Sequence, residues 1–144
     1  MPSHPESTPA ETAAQLRIST YRLVRRLRLQ RTDDVSVGQY SVLVSLRAHG
    51  ALSLGDLAER EHVTAPSMNR TVNCLVDAGL VQRTPDPDDG RRIRVALSEA
   101  GERLVDDTDR RRDAWLEARL AELAPDEQRA IARAAALIRG IADR

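Results

Sequence analysis

Apolar residues recur at helical spacing along most of this chain and change to strand spacing in one short region. Between Ala10 and Arg31, Leu16, Leu23, Val24 and Leu27 share one helical face. A second helix starts near Ser36 and runs to about His49, with Tyr40, Leu43, Val44 and Leu46 inward and Gly50 as its stop. A third begins after Ser53, where Ser53-Leu-Gly-Asp56 resembles a capping box, and buries Leu54, Leu57 and Ala58 up to about Glu61. A fourth spans about Ala65 to Ala78. Thr64 is its N-cap, Pro66 sits harmlessly in its first turn, and Met68, Val72, Leu75 and Val76 form its buried stripe. The turn before it, Glu61 to Thr64, places Val63 between the two helices.

Gly79 ends the fourth helix, and the period then shortens. Leu80–Thr84 and Arg92–Leu97 read as the strands of a hairpin, joined by two prolines, three aspartates and Gly90, all turn formers. Ser98 caps a long helix to about Leu123. Pro125-Asp-Glu127 opens a last helix striped by Ile131, Ala134, Ala135, Ile138, Ile141 and Ala142, with both acids favourable at its N-terminus. The predicted order is α-α-α-α-β-β-α-α, a mostly α fold with a small β-hairpin. Two short helices followed by a hairpin make a winged helix-turn-helix.

This pattern divides the chain. Residues 1–9, rich in Pro, Ser and Thr, read as a disordered tail. Residues 35–97 form the winged lobe. Residues 10–34 and 98–144 supply helices whose stripes call for a partner, and their packing between two subunits of a homodimer is the expectation. The small residues of the last helix permit close helix approach.

Composition changes the picture in three ways. A chain of 144 residues can bury a core without metal or disulfide staples. Its one cysteine, Cys74, excludes an internal disulfide and suits a reducing cytoplasm. No apolar run reaches the length of a membrane span, and the N-terminus lacks the pattern of a secretory signal. Net charge is zero, with 22 basic residues against 22 acidic ones, and every basic residue is arginine. Residues 1–51 carry seven arginines against four acids, residues 52–97 six against seven, and residues 98–144 nine against eleven. A surface for nucleic acid must therefore be made by local geometry rather than total charge.

The fourth helix provides one such surface. Burial of Met68, Val72 and Leu75 turns Ser67, Asn69, Arg70 and Asn73 outward, as in a recognition helix lying in a major groove. Asparagine suits adenine edges, and arginine suits guanine edges or phosphate. Ala65 and Ser67 lie at the helix N-terminus, where backbone N–H groups attract phosphate. Ser53 and Thr64, at the starts of the two helices, complete this candidate face. Arg91, Arg92 and Arg94 load the hairpin. Arg91 leads as a minor-groove arginine, with Asp89 as its holder, because strand alternation sends neighbours to opposite faces. Asp86 and Asp88 are expected to be solvated.

These residues resemble a known pattern. Leu57-Ala58, Val63-Thr64, Met68-Asn-Arg70, Leu75, Gly79-Leu-Val81 and Arg83, followed by Asp86-Pro-Asp-Asp-Gly-Arg-Arg92, Val95-Ala-Leu-Ser98 and Gly101, are similar to the MarR family of bacterial transcription regulators. The resemblance covers the chain after its tail. It implies a cytoplasmic, ligand-responsive regulator of the repressor type. It also implies a homodimer whose winged lobes each read half of a palindrome in double-stranded DNA. Carried over by position, Ser67, Asn69, Arg70 and Asn73 match recognition-helix contacts and Arg91 the minor-groove arginine. Pro66 and Cys74 depart from it, each standing where a polar residue is common.

Other chemistries are thinner. Tyr21, Arg25, Tyr40 and Trp115 are the candidate contacts for a small-molecule effector, the arginine for a carboxylate and the aromatics for a cleft. Cys74 is a weak redox candidate, because oxidant-sensing members carry their cysteine near the start of the first helix. His4, His49 and His62 are too scattered for a metal site. No glycine-rich phosphate loop or nucleophile motif suggests an enzyme, and no cofactor is expected. The competing reading is a winged-helix protein-interaction module without DNA binding.

Overall fold

The computed structural model describes residues 7–31 and 33–144. In chain order the elements are α1 (Pro9–Arg28), α2 (Val37–His49), β1 (Leu52–Ser53), α3 (Leu54–Arg60), α4 (Ala65–Asp77), β2 (Val81–Pro85), β3 (Ile93–Leu97), α5 (Glu99–Leu120) and α6 (Pro125–Ala142). The winged helix-turn-helix expected from the sequence is present, with one strand added. The chain clusters into two compact units, one running through Arg31 and joined by Arg110–Arg144, the other extending to Asp109.

Helix starts follow local side-chain chemistry. Thr8 and Glu11 form a reciprocal capping box on α1, and Ser36 and Gln39 form one on α2. Single hydroxyls cap the next two helices, Ser53 accepting from the Asp56 N–H and Thr64 from that of Ser67. Ser98 accepts from the Gly101 N–H at the start of α5. The expected tail therefore gives up Thr8 and Pro9 to the first helix, while residues 1–6 of that tail lie outside the described residues. Helices α1 and α5 stop about three residues before the predicted ends. Their last turns tighten: Gln30 N–H donates to Leu27 O, and Leu123 N–H to Leu120 O.

The three strands are antiparallel in the order β1-β3-β2. Leu52 pairs with Val95 and Ser53 with Arg94, while Val81 pairs with Leu97 and Arg83 with Val95. Two residues are too few to show a period of two, which is why β1 is invisible in the sequence pattern.

The core lies in the second unit. Leu43, Leu46, Leu57, Met68, Val72, Leu75, Val81 and Val95 are all buried, joined by Tyr40 and by Val105 of α5. Burying each large aliphatic side chain contributes about 1.5–3 kcal/mol. Leu54 and Val76 are partly buried against the core, but two inward assignments need correction. Val44 is 41% exposed. Val63 is 42% exposed rather than wedged between α3 and α4. The turn closes through its backbone, Val63 N–H to Ala58 O, with His62 at a φ of 53°. The residue of that turn that engages α2 is Glu61, whose carboxylate accepts from Ser41 at 2.6 Å and Ser45 at 2.7 Å.

The first unit is different in kind. Neither α1 nor α6 has a buried residue. Ile18, Tyr21, Leu23 and Val24 on α1, and Ile131, Leu137, Ile138 and Ile141 on α6, remain exposed large apolar side chains. Within this unit Arg112 of α5 donates to Leu27 O at 3.3 Å. No helix among the described residues is long and apolar enough to cross a membrane.

Candidate nucleic-acid interface

Helix α4 is amphipathic in the sense its sequence predicts. Met68, Val72 and Leu75 are buried, and Asn69, Arg70 and Asn73 are exposed. Ser67 is half-buried, and its carbonyl accepts from the Thr71 hydroxyl. Ala65 and Pro66 form the exposed first turn. Pro66 has no N–H and Thr64 accepts those of Ser67 and Met68, so this end offers the Ala65 N–H and small side chains. Ser53 and Thr64 act as helix caps, which commits their hydroxyl oxygens as acceptors.

Asn69 and Asn73 are not independent. Nη2 of Arg83 donates to Oδ1 of Asn69 at 3.2 Å and to Oδ1 of Asn73 at 2.6 Å. Arg83 stands outside the candidate contacts drawn from the sequence. A signal for it existed: along β2, Arg83 is two residues from buried Val81 and so shares its helix-facing side.

The wing tip is built on Asp86. Its Oδ1 accepts the N–H groups of Asp88 and Asp89, at 2.8 and 3.3 Å, and its Oδ2 accepts from Arg94 Nε at 2.7 Å. The Asp86 side chain is only 10% exposed. The backbone N–H of Asp88, then the Arg94 guanidinium, hold its carboxyl below the usual aspartate range. The expectation of a solvated Asp86 is therefore corrected. Alternation along a strand pointed to neighbours of Arg91, whereas the fold of the loop brings together residues eight apart.

Asp89 plays a second part. Its carboxylate accepts the backbone N–H of Arg91 at 3.1 Å and lies 3.8 Å from Nε of Arg92. It shapes the backbone at Arg91, while its ion pair is with Arg92. Among the described residues nothing engages the guanidinium groups of Arg91 or Arg70. Arg94 is drawn into the wing by Asp86, whereas Arg91 and Arg92 are both exposed at the tip, Arg92 beside Asp89 and Arg91 with its guanidinium unengaged.

The four effector candidates have unlike surroundings. Tyr40 is part of the second unit's core. Trp115 carries the Arg119 guanidinium over its ring, 3.8 Å from the centroid. Tyr21 and Arg25 are exposed, one helical turn apart on α1. Cys74 is exposed on α4. No group of three or more His, Cys, Asp or Glu is arranged to hold a metal among the described residues.

Residues 35–93 match the model of the MarR family. An HTH-type transcriptional regulator of Mycobacterium tuberculosis is 41% identical over 135 residues, covering 93% of this chain and 94% of its own. The chain belongs to the MarR family. This regulator also resembles the HTH-type transcriptional repressor NicR of Pseudomonas putida, 37% identical over 68 residues, or 47% of this chain and 43% of NicR. A transcriptional regulator from Pseudomonas aeruginosa of known structure superimposes with a TM-score of 0.84 at 31% identity, over 97% of this chain and 99% of its own. Membership makes this MarR protein a DNA-binding transcription regulator. Its helix-turn-helix is α3 and α4, and its wing is the β2–β3 hairpin.

Proposed function

We propose that this MarR protein is a repressor that binds a palindromic operator as a homodimer and releases it in response to a small molecule. The observation that carries the reading is the pairing of two exposed features on one lobe: the Asn69, Arg70, Asn73 face of α4, and the unengaged Arg91 at a tip held by Asp86. The helix face has the size and polarity for a major groove, and the arginine fits the adjacent minor groove. Ser67, the first turn at Ala65 and the flank of Arg92 would add backbone contacts. Arg94 would serve the wing's shape more than the DNA, and Ser53 and Thr64 would set the pitch of their helices.

Dimerisation is supported by the exposed apolar stripes of α1 and α6, which a single chain leaves in water. Residues 10–34 and 98–144 form the dimerisation elements in this reading, although the first turns of α5 also serve the winged lobe through Val105. A two-fold protein reads two half-sites about one helical turn apart. Repression is the polarity suggested by the name of NicR. For the effector, Tyr21 and Arg25 suit an aromatic carboxylate, the ring stacking and the guanidinium pairing the acid. The protein acts in the cytoplasm, where its DNA lies.

The test is a footprint and gel-shift titration on the intergenic DNA beside its own gene, with particle mass from light scattering. A protected inverted repeat, bound by one dimer with affinity that falls steeply as salt rises, is the expected result. Salt-insensitive or absent DNA binding would return the protein to the interaction-module reading.

A further inference from the structure

We propose that Arg83 is a positioning residue that presets the two recognition asparagines, so that α4 offers N–H donors to the groove. The inference rests on α4 being the DNA-reading helix. Asn69 and Asn73 are four apart and lie on one face of α4, and one nitrogen of Arg83 reaches both carboxamide oxygens, at 3.2 and 2.6 Å. That nitrogen carries two N–H groups, one for each asparagine. Arginine has no acceptor, so each amide must turn its oxygen toward β2 and its NH2 away from the guanidinium. Arg83 is itself held in the ladder opposite Val95 in β3, one residue from Arg94, which Asp86 grips. The same sheet that carries the wing therefore sets the rotamers of the recognition helix.

The consequence concerns which bases are read. Asparagine recognises adenine by accepting from N6 while donating to N7. With both oxygens drawing on Arg83, the oxygen is a weaker acceptor and the face is dominated by donors: two carboxamide NH2 groups and the Arg70 guanidinium. Such a face selects acceptor edges, guanine N7 and O6 or thymine O4, over adenine. An exposed bridge of this kind contributes little in water. Under a bound duplex, with water excluded, it gains strength and keeps the amides in one orientation.

The experiment is selection of operator half-sites from a randomised duplex library by the full-length protein, comparing wild type with Arg83→Ala, Arg83→Lys and Asn73→Ala. Wild type should prefer guanine or thymine edges at the pairs facing Asn69 and Asn73, by about tenfold over adenine. Arg83→Ala should lose that preference while keeping its non-specific affinity and salt slope, and Arg83→Lys should recover part of it. At the Asn73 pair alone, Asn73→Ala should cost as much as Arg83→Ala and adding it to Arg83→Ala should cost nothing more, whereas preference at the Asn69 pair should survive Asn73→Ala and be lost in Arg83→Ala. Uniform weakening on all sequences, with a salt slope reduced by about one, would make Arg83 a phosphate contact and overturn the proposal. An unchanged preference would overturn it too. Side-chain 15N relaxation of Asn73 in the free protein reads the same bridge without DNA. It should be ordered in wild type and loosened in Arg83→Ala, and equal mobility in both overturns the proposal even if wild type selects no sequence. Absence of any selection by wild type would count against DNA reading by α4 instead.

Discussion

Gly101 lies directly against the backbone of Leu80, and a methyl group at Gly101 would overlap the Leu80 carbonyl oxygen. That oxygen also accepts the N–H of Ser98, whose own hydroxyl donates to Gly79 O and accepts from Gly101 N–H. The end of the recognition-helix segment and the start of α5 are thus fastened by two hydrogen bonds from Ser98, at a distance only glycine at position 101 allows. Backbone cannot yield here as a flexible side chain could. Gly101→Ala should destabilise the protein by about 1–3 kcal/mol, as overpacking does. Urea unfolding should show a lower midpoint at an unchanged slope.

Arg91→Ala should weaken operator binding by roughly 1–3 kcal/mol, the worth of a good base-reading contact. Its guanidinium supports nothing else among the described residues, so thermal stability should not change. Gel-shift titration beside a melting curve measures both, and unaltered affinity would remove Arg91 from the interface.

Asp86 should titrate below an ordinary aspartate, because two backbone N–H groups and Arg94 favour its charged form. A depressed folded-state pKa stabilises the wing above the unfolded pKa, and this contribution is lost as pH falls through the folded value. The wing should therefore stay ordered through the usual aspartate range and loosen only below it. Carboxyl 13C shifts of Asp86 and amide protection at Asp88, followed together with falling pH, should move in step. Asp86→Asn should relax the wing at neutral pH, lowering DNA affinity more than global stability.

If the proposed homodimer forms through α1 and α6, replacing Ile131 and Ile138 of α6 by glutamate should leave a monomer. Both side chains are exposed in the single chain, at 43% and 37%, so charge at these positions costs little until a partner must cover them. Light scattering should report the mass of one chain while far-ultraviolet circular dichroism stays helical. A dimer that survives would place the interface elsewhere.

Much of this protein is written locally. Caps such as Ser36 with Gln39, the stripe Met68, Val72 and Leu75, and the turn residues between β2 and β3 each act over a few positions. One chain position therefore predicts the next, and the helix order, the hairpin and the outward set Asn69, Arg70 and Asn73 could be read directly. The family pattern around Gly90 and Ser98 identified the regulator for the same reason. Contacts between elements distant in sequence could not be read this way. β1 exists only because Leu52 and Ser53 meet β3, some forty residues later. Val63 turns outward in a turn closed by its own N–H on Ala58 O, with His62 at positive φ, while Glu61 reaches α2. Asp86 becomes a largely covered anchor because the loop returns Arg94 to it. Arg83 governs two asparagines because β2 lies against α4. Periodicity encodes which face of an element is apolar, whereas the partner of a polar group depends on how whole elements pack, and only the tertiary structure decided that.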